Sequence, residues 1–327
     1  MIRFGVIGTN WITESFLEAA KTVDGFALTA VYSRTEERAR EFAAKHGAAH
    51  AYTDIEAFAG SGEFDAVYMA SPNSFHARQA IACLQRGKHV LCEKPIASNA
   101  RELREMIDAA RGSGAVLMEA MKSTLMPNFQ AVRDHLHRIG RVRRYFASYC
   151  QYSSRYDAYK QGNVLNAFNP AFSNGGLMDL GIYCLYPMVV LFGKPDRVTA
   201  NGLLLESGVD GQGSLLLGYA GMDAVVQYSK IANSGVPSEI QGEDGQIVIH
   251  KINQPEKIEL RLRDGTVEDL TRGQAGNTMV YEVKEFLDLI HRGEKQSAVN
   301  SHEHSLWTLE TMDEARRQMG LVYAADR

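Results

Sequence analysis

Five short apolar runs separated by helical stretches fill the first 118 residues, and that alternation admits few folds. The runs are 2–7, 27–32, 66–70, 89–92 and 115–118, with helical stretches at 11–23, 35–46, 74–86 and 99–111 between them. Strict alternation implies a parallel sheet, because a parallel neighbour is reached only by a crossover, and crossover helices cover both faces. The runs show little polar alternation, as strands covered on both sides should. From about residue 122 the pattern changes. Segments near 142–152, 197–205, 213–219, 223–231, 236–241, 246–251, 257–263 and 266–270 read as strands joined by Gly-, Asn- or Asp-bearing turns. Lys257-Ile258-Glu259-Leu260-Arg261-Leu262-Arg263 alternates charge with apolar bulk, as an antiparallel strand with one wet face does. Helices are expected at 125–138, 176–192, 277–291 and 302–319. The expected fold is α/β: a doubly wound domain over 1–122, then an α+β domain over 123–327 with a large, mostly antiparallel open sheet.

A chain of 327 residues exceeds what one core usually organises. The net charge of −4 offers no basic footprint for nucleic acid or an anionic membrane. No apolar run reaches the roughly 18 residues of a spanning helix, and Met1 leads into Ile2-Arg3-Phe4-Gly5 without a secretory-signal layout. A cytoplasmic protein with no nucleic-acid or membrane partner is expected. Cys83, Cys92, Cys150 and Cys184 form no C-x-x-C pair and read as reduced thiols. His302-Glu303-His304 looks metal-like, but adjacent helix positions point apart, unlike H-E-x-x-H, so no metal site is expected. Arg141, Arg143 and Arg144 read as a solvated strand edge.

Gly8-Thr9-Asn10-Trp11-Ile12-Thr13 stands between the first strand and first helix, where a G-x-G-x-x-G/A dinucleotide fingerprint would stand. Glycine there permits a tight turn, and the helix N-terminus offers N–H groups to a pyrophosphate. Asn10 replaces the second glycine, and Asn tolerates φ > 0 better than most residues; Thr13 replaces the third small residue. Alone, the turn also fits an ordinary strand–turn–helix. Within a βαβ unit it reads as the start of a Rossmann domain. An NAD-preferring site commonly has an acid at the end of the second strand. Here Tyr32-Ser33-Arg34-Thr35 carries none until Glu36, and Ser33 and Arg34 suit a 2′-phosphate, so NADP is expected over NAD. Ala70-Ser71-Pro72-Asn73 and Cys92-Glu93-Lys94-Pro95 follow carboxyl ends of parallel strands, where open sheets bind ligands. The expected cofactor contacts are thus Gly8, Thr9, Asn10, Trp11, Ile12, Ser33, Arg34, Ser71, Asn73, His76, Glu93 and Lys94. Asn73 has a second reading as a helix N-cap, and His76 as a packing residue in the helix's first turn.

These motifs converge. Ser71-Pro72-Asn73-x-x-His76, Glu93-Lys94-Pro95 and Gly175-Gly176-Leu177-Met178-Asp179-Leu180-Gly181-Ile182-Tyr183, in this order and spacing, resemble the glucose–fructose oxidoreductase/inositol dehydrogenase (Gfo/Idh/MocA) family over essentially the whole chain. The resemblance implies that Lys94 reaches substrate and nicotinamide and that Asp179 is the acid of the second domain. Many members carry His four residues after that acid. Tyr183 here looks like the dihydrodiol dehydrogenase and glucose–fructose oxidoreductase branches, where tyrosine is taken as the proton donor or acceptor. The implied activity moves a hydride between nicotinamide and a secondary alcohol or carbonyl of a sugar, polyol or diol.

Asp179 and Tyr183 are spaced i, i+4 and project from one face of the expected helix. A phenol, with a reference pKa of about 10, is a poor base unless a cation such as the Lys94 ammonium favours its phenolate. The competing structural reading makes Asp179 a helix-dipole residue and Tyr183 a half-buried aromatic. Rival functions are an enzyme holding NAD without net turnover and a non-catalytic dinucleotide-binding regulator. A methyltransferase would leave Lys94, Asp179 and Tyr183 without a role. Arg155-Tyr156-Asp157 and the stretch from Asn163 to Asn169 read equally as a pocket border or a surface loop. Helices in the second half are too few to cover both sheet faces, and family members pair through such sheets, so a homodimer is expected.

Overall fold

The computed structural model describes residues 1–327. Two compact units result: Met1–Lys122 with Ala275–Glu303, and Ser123–Gln274 with His304–Arg327. The first is a six-stranded parallel sheet of β1 (Ile2–Ile7), β2 (Phe26–Tyr32), β3 (His50–Tyr52), β4 (Ala66–Met69), β5 (His89–Glu93) and β6 (Leu117–Ala120). Its order, β3-β2-β1-β4-β5-β6, is that of the Rossmann fold, with the strand order reversing between β1 and β4. Helices α1 (Trp11–Ala20), α2 (Glu36–His46), α3 (Ile55–Gly60), α4 (Asn73–Leu84) and α5 (Ala100–Ser113) supply the crossovers. Between 48 and 65 the sequence suggests no element, yet β3 and α3 form there; three and six residues are too short to show a period. Aromatic packing fills the core, with the Phe16 and Tyr68 rings stacked 3.7 Å apart.

The segment 275–303 departs from the expected division at 122/123. It carries α9 (Val280–Arg292), which buries Val283, Phe286 and Leu287 in the first unit. The Phe286 ring lies 6.0 Å from that of Phe4, in the middle of the sheet. Polar ties reinforce the return: Asn277 donates to the Ser15 carbonyl, and Asn300 donates to the carbonyls of Glu119 and Met121.

The second unit is an eight-stranded sheet of β7 (Val142–Cys150), β8 (Arg197–Leu204), β9 (Asp210–Tyr219), β10 (Met222–Ser229), β11 (Ser238–Gly242), β12 (Gly245–His250), β13 (Lys257–Leu262) and β14 (Val267–Asp269). The order is β14-β13-β12-β11-β7-β10-β9-β8, antiparallel except where β7 meets β10. Burial alternates along β9: Leu215 and Leu217 are buried, whereas Gln212, Ser214 and Leu216 are exposed. The helices of this unit are α6 (Pro127–His135), α7 (Tyr156–Lys160), α8 (Ile182–Phe192) and most of α10 (His302–Met319). One stretch corrects the hydropathy reading. The stretch Pro170–Phe192, helical from Gly176 onward, is apolar enough over its 23 residues to cross a bilayer, but 72% of its most apolar window is buried in the protein, as in a core helix.

Candidate active site

The glycine turn at the end of β1 is constrained twice. Gly8 has φ +99°, and a Cβ there would stand 2.7 Å from the Ala70 carbonyl oxygen. Asn10 does not take the left-handed role that a substituted second glycine suggested. Its backbone is extended (φ −105°, ψ 177°), and its Oδ1 accepts from the amides of Ile12 (3.0 Å) and Thr13 (3.3 Å). Its Nδ2 donates to the Ala70 carbonyl at 2.9 Å, so Asn10 caps α1 and ties it to the end of β4. Thr13 is fully buried and Trp11 is 68% exposed beside the turn. At the end of β2, Arg34 is exposed and the Ser33 amide donates to the Tyr52 carbonyl. Glu36, the nearest acid, is occupied by Arg40. Arg38, which the sequence reading passed over, donates to the Thr9 carbonyl at 3.2 Å. Its place in the first turn of α2, four residues after Arg34, was the available signal.

The loop after β4 is held from within. Ser71 Oγ donates to Gln79 Oε1 at 2.6 Å. Asn73 is the first residue of α4 and Pro72 its cap, so Asn73 is not the N-cap of the second reading. His76 is fully buried, with Nδ1 2.9 Å from the Pro95 carbonyl and Nε2 2.8 Å from that of Ser71. It braces the two loops rather than facing a ligand, and burial pushes its imidazole pKa down.

Lys94 follows β5 and is half-buried. Beside it, Glu93 Oε1 accepts from the Tyr68 hydroxyl at 2.6 Å. Burial raises the Glu93 pKa, against the Tyr68 hydrogen bond and the Lys94 and Lys122 cations, which lower it. Glu282 of α9 is a further acid the sequence did not reveal. It is fully buried with neither oxygen hydrogen-bonded. Burial, then the charge of Glu93, holds its pKa well above the usual carboxylate range.

In the second unit the glycine-rich motif is shaped by what presses on it. A Cβ at Gly175 would run into Asp210 Oδ1, and one at Gly176 would lie 2.9 Å from the Tyr228 ring. Asp210, itself fully buried, accepts from the amides of Gly176 (3.0 Å) and Leu177 (2.7 Å) and so caps the helical segment that follows. That segment opens as a π-helical turn, Leu177–Gly181, which runs without a break into α8, so the expected helix over 176–192 forms with a π turn at its start. Single π turns inside helices occur frequently at functional sites. From Gly175 to Val189 every residue is buried except Asp179 and Tyr183, which are half-exposed. The Tyr183 ring meets that of Tyr149 edge-on at 5.7 Å. Lys230, also missed by the sequence reading, lies just past β10 and places Nζ 2.8 Å from Asp179 Oδ2. The motif's glycines are thus a packing requirement, while its acid and phenol stay accessible.

The remaining candidates fall elsewhere. Arg143 pairs with Glu243 and Arg144 with Asp223 at the exposed start of β7, which is a central strand and not the expected strand edge. His302 Nε2 lies 3.0 Å from the Leu117 carbonyl oxygen. All four cysteines are free, and burial pushes the Cys83 thiol up to about 12. Tyr156 and Tyr159 pack with Leu205 and Ile231 on a small core of Ala167, Phe168 and Val209, giving segment 151–173 its own hydrophobic anchor.

A Rossmann sheet with a glycine turn at its switch point, joined to an open antiparallel sheet bearing a half-exposed acid and phenol, defines a dinucleotide-dependent oxidoreductase of two-unit design. Two family models agree: an oxidoreductase family with NAD-binding Rossmann fold matches residues 2–121, and the GFO/IDH/MocA C-terminal domain matches 129–248. The chain is 58% identical over 327 residues to the scyllo-inositol 2-dehydrogenase (NADP(+)) IolU of Bacillus subtilis, covering 100% of both chains. It is 30% identical to the mouse trans-1,2-dihydrobenzene-1,2-diol dehydrogenase, covering 100% of this chain and 99% of that one. Its fold is shared with a levoglucosan dehydrogenase solved with NADH and levoglucosan (TM-score 0.88, 19% identity, 98% and 97% covered). The chain belongs to the Gfo/Idh/MocA oxidoreductase family.

Proposed function

We propose that this chain is an NADP-dependent dehydrogenase acting on a secondary carbinol of a cyclic polyol, with scyllo-inositol the first substrate to test. The observation that carries the reading is 58% identity, over the whole of both chains, to an enzyme named for that reaction. The half-exposed Asp179 and Tyr183 in an otherwise buried stretch support it from the structure.

The constraints on Gly8 suit a cofactor drawn against the backbone, and the residues present fit a dinucleotide. The turn at Gly8 and Thr9, with Trp11 and Ile12 at the helix start, would hold the pyrophosphate. Ser33 and Arg34, with Arg38 alongside, would hold the 2′-phosphate; Ser71, Asn73 and Glu93 line the carboxyl ends of β4 and β5. Asn10 and His76 keep that cradle in shape. When bound, NADP+ supplies the hydride acceptor. Tyr183, as phenolate, takes the proton from the substrate hydroxyl, and Asp179 orients that hydroxyl. Lys94 supplies the cation that favours both the phenolate and the developing alkoxide. In the reducing direction Tyr183 returns the proton to the carbonyl oxygen.

The open face of the eight-stranded sheet is the proposed homodimer surface. Leu203 (50% exposed) and Leu216 (52%) stand on it, beside a groove of about 530 Å³ lined by Cys150, Gln212, Ser214 and Gln227. A cytoplasmic location completes the reading, supported by the reduced thiols. Turnover is tested by the change in nicotinamide absorbance with scyllo-inositol, comparing NADP+ with NAD+. Near-parent turnover by both Tyr183→Phe and Lys94→Ala refutes the assigned chemistry. A monomeric mass by light scattering at micromolar concentration refutes the dimer.

A further inference from the structure

Lys230 is the most deeply buried ammonium group near the candidate acid, at 2% exposure. A buried lysine persists only when its charge is paired and its donors are satisfied. Nζ lies 2.8 Å from Asp179 Oδ2 and 3.1 Å from the Ala167 carbonyl oxygen, with the Phe168 ring centroid 5.2 Å away. Its backbone is equally committed: the Lys230 amide donates to the Gly211 carbonyl, and its carbonyl accepts from the Ser153 amide, each at 2.8 Å. One residue therefore touches the start of segment 153–167, the end of that segment, and the carboxylate of Asp179.

We propose that Lys230 is a positioning residue for the reaction: it fixes the orientation of Asp179 and sets segment 153–167 in register with that carboxylate. The inference rests on the role given to Asp179 above. Lys230 reaches no reacting atom; it acts through Asp179. An ammonium at 2.8 Å holds one carboxylate oxygen in a charge-assisted hydrogen bond, which restricts rotation of the side chain. The same cation draws in Ala167, so a change in Asp179 orientation and a change in the aromatic segment of Tyr156, Tyr159 and Phe168 are one event rather than two.

A double-mutant cycle on scyllo-inositol oxidation with NADP+ tests this, using Asp179→Asn, Lys230→Met and the pair. Lys230→Met is expected to lower kcat at least tenfold while the KM for NADP+ and the thermal shift produced by NADPH stay near the parent's. The double variant is expected within about twofold of Asp179→Asn alone, because the lysine has nothing left to act through. Lys230→Arg, which keeps a cation, is expected to recover part of the lost kcat. Losses that multiply in the double variant, with Asp179→Asn impaired, overturn the proposal and leave the site reading intact. Asp179→Asn at near-parent turnover overturns the site reading and this inference with it. If Lys230→Met does not fold, the cycle is run with Lys230→Gln; failure of both to fold assigns Lys230 to the fold and overturns the proposal.

Discussion

Asp210→Asn is the sharpest probe of how the second unit presents its acid and phenol. Each carboxylate oxygen of the buried Asp210 accepts one amide, from Gly176 at 3.0 Å and Leu177 at 2.7 Å. Asparagine keeps the shape but turns one acceptor into an NH2 group facing an N–H. One charge-assisted hydrogen bond is lost, worth about 1.5–3 kcal/mol, and a buried donor is left unsatisfied at a further cost of about 1–3 kcal/mol. The substitution also relieves part of the burial penalty that raises the Asp210 carboxyl, so a net loss of about 2–3 kcal/mol is expected. For a unit of this size that is roughly 4–12 °C in Tm. Because Asp179 and Tyr183 stand on the segment that Asp210 caps, kcat should fall about tenfold or more. The NADPH thermal shift should persist, since the glycine turn belongs to the other unit. Thermal unfolding and initial-rate kinetics on the same preparation are the assays. A Tm within about 1 °C of the parent, with kcat unchanged, would refute the reasoning that this cap sets the motif's geometry.

Three further outcomes are expected. Gly8→Ala, at φ +99° and with its Cβ 2.7 Å from the Ala70 oxygen, should weaken NADPH binding at least tenfold by calorimetry; unaltered affinity would show that the turn does not carry the cofactor. Arg34→Ala should lower the preference for NADP+ over NAD+ in kcat/KM by roughly tenfold, about 1.4 kcal/mol, and an unchanged ratio would move the 2′-phosphate contact to Arg38 or elsewhere. For Glu282→Gln the sign follows from a folded-state pKa raised above the unfolded value. The parent's neutral carboxyl is tolerated at low pH, and stability is lost as pH rises from the unfolded pKa through the folded one. The variant should therefore gain Tm over the parent as pH increases from about 4 to 8, and a pH-independent difference would count against a buried, perturbed acid there.

The parallel sheet was legible because strands covered on both faces read as unbroken apolar runs, and the crossovers between them have room for a full helical period. The same logic hid β3 and α3, which are too short to repeat anything. Amphipathicity at 277–291 revealed that a helix has a buried face, not which sheet receives it, so α9 went to the wrong unit. Asn10 was measured against a glycine template when its position before Trp11 and Glu14 already suited an N-cap. Lys94, Asp179 and Tyr183 were found through a pattern spread along the chain. Lys230 and Asp210 were not, because they meet the motif across 51 and 33 residues through the register of β9 and β10, which no local spacing encodes.

The return of 275–303 to the first unit also bears on how the protein is made. Synthesis at about 5–20 residues per second leaves on the order of 10–30 s between release of β6 and arrival of α9. Throughout that interval the side of the nascent sheet around Phe4 lacks the helix that packs Phe286 against it. The N-terminal half therefore cannot reach its finished core on the ribosome until nearly the whole polypeptide has been translated, and a fragment cut after Lys122 would be a poor substitute for the unit it begins.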